Sequence, residues 1–120
     1  MNDFRFEKLE VWKYSHEISD LLFSYADKAD GMRKYKFAEQ LRAATMSISN
    51  NIAEGSGSYS DKEFANFLNV ARRSVFECAN ILHIFERQSI ISADEVRNSY
   101  PHLLTISKKI SSLRKTLIKE

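Results

Sequence analysis

The chain has 120 residues, 18 Lys and Arg against 16 Asp and Glu, and a formal net charge of +2. That length fits one domain able to bury roughly two-thirds of its unfolded surface, and eight Phe, five Tyr and one Trp supply a core. One Cys excludes an intramolecular disulfide. No apolar run reaches membrane-spanning length, and Met1-Asn2-Asp3-Phe4-Arg5-Phe6 is not a signal segment, so a cytoplasmic protein without a membrane partner is expected.

Three Gly, one Pro and no Asn-Gly or Asp-Gly between alternating β-branched runs point to an all-α chain. The first helix is predicted over about 8–29. Val11, Ile18, Leu22, Tyr25 and Ala29 share one face, Trp12, Phe23 and Ala26 form an adjoining stripe, and Asp30-Gly31 offers an exit.

The second helix is predicted over about 35–54. Phe37, Leu41, Ala44, Ile48 and Ile52 make its apolar stripe, and Gly55 fits the terminating position. Gln40, Ser47, Asn51 and Glu54 make a polar stripe about a quarter turn away.

The third helix is predicted over about 61–88. Ser60 and Glu63 form a capping box at its start. Phe64, Phe67, Leu68, Ala71, Val75, Cys78, Leu82 and Phe85 fall on one face. Val70, Ile81 and Ile84 fall on another, and that surplus predicts a second apolar contact, such as a subunit boundary.

The fourth helix is predicted over about 93–118 behind a second capping box, Ser92 and Glu95. Leu103, Ile106, Ile110, Leu113 and Leu117 form its seam. Pro101 should kink it, or divide it into two helices meeting near Ser99. Four amphipathic segments with short connections predict an up-down-up-down four-helix bundle.

Charge is uneven along the chain. Residues 96–119 hold six Lys and Arg and no acid. Arg97, Lys108, Lys115 and Lys119 fall within about 40° on a helical wheel, roughly opposite the seam. They are the candidate contacts to RNA or DNA phosphates; the alternative is a solvated helix face.

Other chemistry is poorly supplied. A carboxylate-bridged metal pair in a bundle needs Glu-x-x-His turns. The residues three before His16, His83 and His102 are Lys13, Asn80 and Ser99, so neither a metal nor a cofactor is expected. Cys78 lies on an apolar stripe, about 140° around the helix from His83, and reads as core. Ser112-x-x-Lys115 lacks companion motifs. Gly55-Ser56-Gly57-Ser58 follows a helix and lacks the ending of a phosphate loop.

The polar stripe reads as an interhelical or intersubunit network, with Arg42 or Arg72 as partners for Glu54 and Glu77. The alternative is a ligand site at the end of the second helix. The least favoured reading is a small hydrolase using Glu54 and Glu77, since no base or metal ligand accompanies them.

Phe6-Glu7-Lys8-Leu9-Glu10-Val11-Trp12, Gln40-Leu41-Arg42, the segment SISNNIAEG, Ser60-Asp61-Lys62-Glu63-Phe64, Phe67-Leu68 and Ser74-x-x-Glu77 occur in one order over residues 4–90. The chain thereby resembles the bacterial four-helix-bundle family encoded within intervening sequences of 23S ribosomal RNA genes. Residues 91–120 resemble it only in helical character. The resemblance implies a homo-oligomer, with a pentameric ring as the associated form, and no established activity. A related group, serving diversity-generating retroelements, implies nucleic-acid and reverse-transcriptase contacts by analogy. Ala43 stands where members often have a second arginine, and Ser49 where they often have a proline. The expectation is a non-enzymatic homo-oligomer contacting RNA or DNA weakly through its basic face; the alternative is a purely structural oligomer.

Overall fold

A computed structural model of the protein describes residues 3–118. A 3-10 turn, Arg5–Lys8, precedes four α-helices: α1 (Glu10–Gly31), α2 (Tyr35–Ser56), α3 (Asp61–Arg87) and α4 (Ala93–Leu117). Lys8 therefore belongs to the turn, and extended Leu9 separates it from α1. The Glu7 side chain closes the turn by accepting from the Phe4 amide at 3.1 Å.

Serine caps start the last two helices. Ser60 Oγ accepts from the Glu63 amide at 3.1 Å, and Ser92 with Glu95 forms a full reciprocal box. The helix ends differ from expectation. Gly31 and Gly55 both lie inside their helices, and no described glycine has positive φ. The left-handed positions are Arg33 and Ser89, each at φ 59°. Around Arg33, the Lys34 amide reaches back to the Ala29 carbonyl and the Arg33 amide to Asp30. Around Ser89, the Ile90 amide bonds Phe85 O and the Ser89 amide bonds Glu86 O. Both are Schellman endings, which satisfy carbonyls the helix leaves orphaned.

Gly55 has a packing role instead. A Cβ there would lie 2.6 Å from Phe67 Cβ and 2.9 Å from Phe64 Cδ1. The missing side chain lets α2 and α3 approach closely where α2 ends.

Long-range bonds fix the up-down-up-down order. Lys34 Nζ donates to the Gln88 carbonyl, so the α1–α2 connection meets the end of α3. Arg114 Nε donates to the Ala65 carbonyl, so the end of α4 meets the start of α3. Tyr25 and Ser99 hydroxyls sit 2.9 Å apart, joining late α1 to early α4. Leu22, Leu41, Ile48, Ile52, Phe64, Leu68, Leu82, Phe85, Ile106 and Ile110 are fully buried among the four helices. Each such side chain contributes about 1.5–3 kcal/mol of burial.

Of the neighbouring helix pairs, α1 and α4 pack least against each other. Their seam is laced with polar pairs: Glu10 with Lys109, Tyr14 with His102, and Lys28 with Glu95. Helix α4 is unbroken through Pro101, so two shorter helices do not form. Proline removes the amide that would bond the Arg97 carbonyl. Pro101 and Arg97 are both exposed, so the loss falls on a side where water substitutes. No described helix is long and apolar enough to cross a membrane.

Candidate association surface and polar network

Among the large apolar side chains left exposed, two neighbours on α3 and α4 are not ones the sequence stripes single out. Phe76 on α3 is 57% exposed and Leu104 on α4 is 55% exposed. Together with Val75, Ala79, Tyr100, Leu103 and Ser107 they line one hollow between the two helices. Tyr100 and Leu104 also line a neighbouring hollow with His83, Pro101 and Arg97, so the apolar surface continues along the groove. Its shape is held from below and from the side. Val75 and Leu103 are buried in the core. The Tyr100 ring packs edge-on against His83, and its hydroxyl bonds the His83 ring. Arg72 lays its guanidinium 4.7 Å from the Phe76 ring centre, and its buried Nε has no hydrogen-bond partner among the described residues.

Sequence reading missed this groove. Phe76, Tyr100 and Leu104 lie off the core stripes. The available signal was Tyr100 and Leu104 at i, i+4 on the outer side of the fourth helix, beside Pro101.

The expected interface residues separate. Ile81 is 6% exposed and belongs to the core of the single chain, a correction to its placement at a subunit boundary. It lies two turns beyond buried Ser74 and faces α2 with it. Val70 and Ile84 are exposed, at 41% and 38%.

The polar stripe also divides. Asn51 Nδ2 donates to the Ser47 carbonyl and to Ser47 Oγ, at 2.7 and 3.0 Å. Ser74 Oγ donates to Ser47 Oγ at 2.8 Å, which joins α2 to α3. This half-buried chain ties α2 to α3 and pins helix register. Gln40, Glu54 and Glu77 point to solvent instead. Arg42 does not reach the glutamates. It bridges Asp27 and Asp30 of α1, each at 2.7 Å, and the Asp30 bond raises its pKa first. Arg72 engages Phe76.

Cys78 is buried against Thr45. Burial pushes its thiol up to about 12, against a small opposing effect of the Thr45 contact. A thiol held neutral is a poor nucleophile. No three His, Cys, Asp or Glu side chains cluster in metal-binding reach among the described residues.

The model of the 23S rRNA-intervening sequence protein family matches residues 7–112. The chain belongs to that family. The match runs well past residue 90, so α4 carries family character beyond helicity alone. No curated protein matches the chain. The matched region holds the whole α3/α4 groove, the Ser47–Asn51–Ser74 network and Gly55.

The basic residues of α4 are unequal. Arg97 is paired with Asp94, Lys109 with Glu10, and Arg114 with a backbone carbonyl. Lys108 and Lys115 are exposed, and neither forms a salt bridge among the described residues. Lys119 lies outside the described residues.

Proposed function

We propose that the protein works as a non-enzymatic, self-associating helical bundle, with five copies the number its family resemblance implies. The single observation that carries this reading is the pair Phe76 and Leu104. Both are more than half exposed and sit over one hollow between α3 and α4. A small domain gains nothing by wetting two large apolar side chains side by side. Such patches mark protein contact surfaces, and aromatic anchors over pockets dominate contact energies. The competing hydrolase reading gains no support, because Glu54 and Glu77 are exposed on different helices.

Sedimentation velocity at micromolar concentration tests the proposal. The wild type should sediment as an assembly. Phe76→Asp with Leu104→Asp should sediment near the 13.9 kDa monomer mass with its helical circular dichroism retained. A monomeric wild type at that concentration overturns it.

A second reading is supported by Lys108 and Lys115, exposed two turns apart on a stretch without acids. These lysines suit weak, sequence-tolerant contact with RNA or DNA phosphates.

A further inference from the structure

We infer that a hollow between α1 and α2 binds a primary aliphatic ammonium, the group carried by a free polyamine or by a lysine side chain. The hollow belongs to a different helix pair from the α3/α4 groove, so it stands or falls apart from self-association.

Both helices shape it. His16, Ser19 and Phe23 of α1 and Met46, Ser49 and Asn50 of α2 line a space of about 320 Å³. That is at the small end of ligand sites and suits a short alkyl chain. The His16 ring packs edge-on against Trp12, with centroids 4.4 Å apart, which fixes one end. Met46 is exposed and the Phe23 ring is half-buried, so together they give methylene groups an apolar wall.

The hydroxyls select the chemistry of the ligand. Ser19 Oγ donates to the Ser15 carbonyl at 2.8 Å, and Ser49 Oγ donates to the Met46 carbonyl at 3.4 Å. A hydroxyl has one proton and two lone pairs. Both protons are turned back onto the helices, so both serines meet a ligand as acceptors alone. The exposed Asn50 amide can turn its carbonyl oxygen toward the hollow as well. An ammonium has three donors and no acceptor, which complements this set. A carboxylate or phosphate would set lone pairs against lone pairs.

Charge agrees. Asp20 stands four residues after His16 and three before Phe23, so the three share one side of α1. It is exposed and forms no salt bridge among the described residues. The Phe23 ring face adds attraction for a cation. Of the nearby cations, Arg42 is already held by Asp27 and Asp30. Lys13 and His16 lie at the end of the hollow away from Phe23. The ammonium is therefore placed among Ser19, Asp20 and Ser49.

Met46 reports on the site directly. Its isotope-labelled methyl group is followed by NMR during titration of the whole protein, with Met32, outside the hollow, as control. Butylamine should move the Met46 signal saturably, with a dissociation constant of about 1–10 mM for so small a ligand. Met32 should stay in place. Butanol has the shape without the charge, and tetramethylammonium has the charge without N–H donors. Each should bind about threefold or more weaker than butylamine. Asp20→Asn and Ser49→Ala should each cost butylamine about threefold or more, with helicity unchanged. Diaminobutane binding tighter than Nα-acetyl-lysine methylamide would identify a free polyamine as the source, and the reverse order a lysine side chain. A Met46 signal that does not move overturns the site. An equal effect of butanol or tetramethylammonium overturns its selection of N–H donors. Unchanged affinity in both variants places the amine elsewhere and overturns the inference.

Discussion

Gly55 and Phe67 approach so closely that a methyl group on the glycine would lie 2.6 Å from the phenylalanine Cβ. Both atoms are fixed to backbone, so neither can swing aside. Replacing Gly55 with alanine should therefore destabilise the bundle, although alanine favours a helix by about 1 kcal/mol. Overpacking of this kind costs about 1–3 kcal/mol, so a net loss of up to about 2 kcal/mol is expected in urea denaturation. Gly31 is the control, because a Cβ there meets nothing within 4 Å. Gly31→Ala should be neutral or stabilising by up to about 1 kcal/mol.

The left-handed Ser89 gives a prediction of opposite sign. A side chain at positive φ costs about 1–2 kcal/mol, whereas glycine pays mainly in unfolded-state entropy, about 0.4–1 kcal/mol. Ser89→Gly should then stabilise the protein by roughly 0.5–1 kcal/mol, a rise of a few degrees in thermal midpoint. Ser89→Val, with a β-branched side chain at φ 59°, should lower it.

The α1/α4 seam should respond to acid. The hydrogen bond from Lys28 holds the Glu95 carboxyl below its ordinary range, and Ser92 helps. Lys109 does the same for Glu10. A carboxyl lowered on folding stabilises the native state at pH above its unfolded value near 4.5, and the contribution fades as pH falls through the folded value. Both pairs are well exposed, so salt should shrink the effect. Thermal midpoints measured from pH 7 to pH 3 should fall less steeply in Lys28→Met than in wild type. Equal slopes would remove the seam as a source of acid sensitivity.

Cys78 should be inert in the folded chain. It is buried, and its thiol is pushed up to about 12. Ellman's reagent at pH 8 should label it only at the rate of unfolding, and urea at the transition midpoint should expose it. Rapid labelling of the native protein would contradict its placement in the core.

Much of the fold was legible because it depends on short-range pattern. The periodic stripes and the Ser60 and Ser92 caps declare helices from neighbouring residues alone. What failed depends on residues distant in sequence. A glycine late in a helical pattern suits a C-terminal turn and a close helix crossing equally, and only the arrival of Phe64 and Phe67 against Gly55 separates them. Arg42 was matched to glutamates by type, yet the short α1–α2 connection brings Asp27 and Asp30 to it. The Phe76–Leu104 hollow needs two helices side by side, so no single helical wheel contains it. Ser47 and Asn51 were readable as a pair at i, i+4, whereas their link to Ser74 belongs to the packing of α2 on α3.

The basic end of α4 yields the last prediction. Lys108 borders the groove proposed to hold a second copy, so its replacement would disturb assembly and phosphate contact together. Lys115 stands two turns further along, exposed and on the same side of the helix. Lys115→Glu with Lys119→Glu therefore isolates phosphate contact. Binding to a ribosomal RNA fragment and to duplex DNA is read by fluorescence anisotropy between 50 and 200 mM salt. Each lysine that neutralises a phosphate adds roughly 0.7–0.9 to the slope of log affinity against log salt, so the double variant should lose one to two units. The loss should be alike for both nucleic acids, because phosphate contact carries no sequence information. Unchanged affinity in a variant that assembles normally would reject this stripe as the contact. Absence of wild-type binding at 50 mM salt would leave it a solvated helix face.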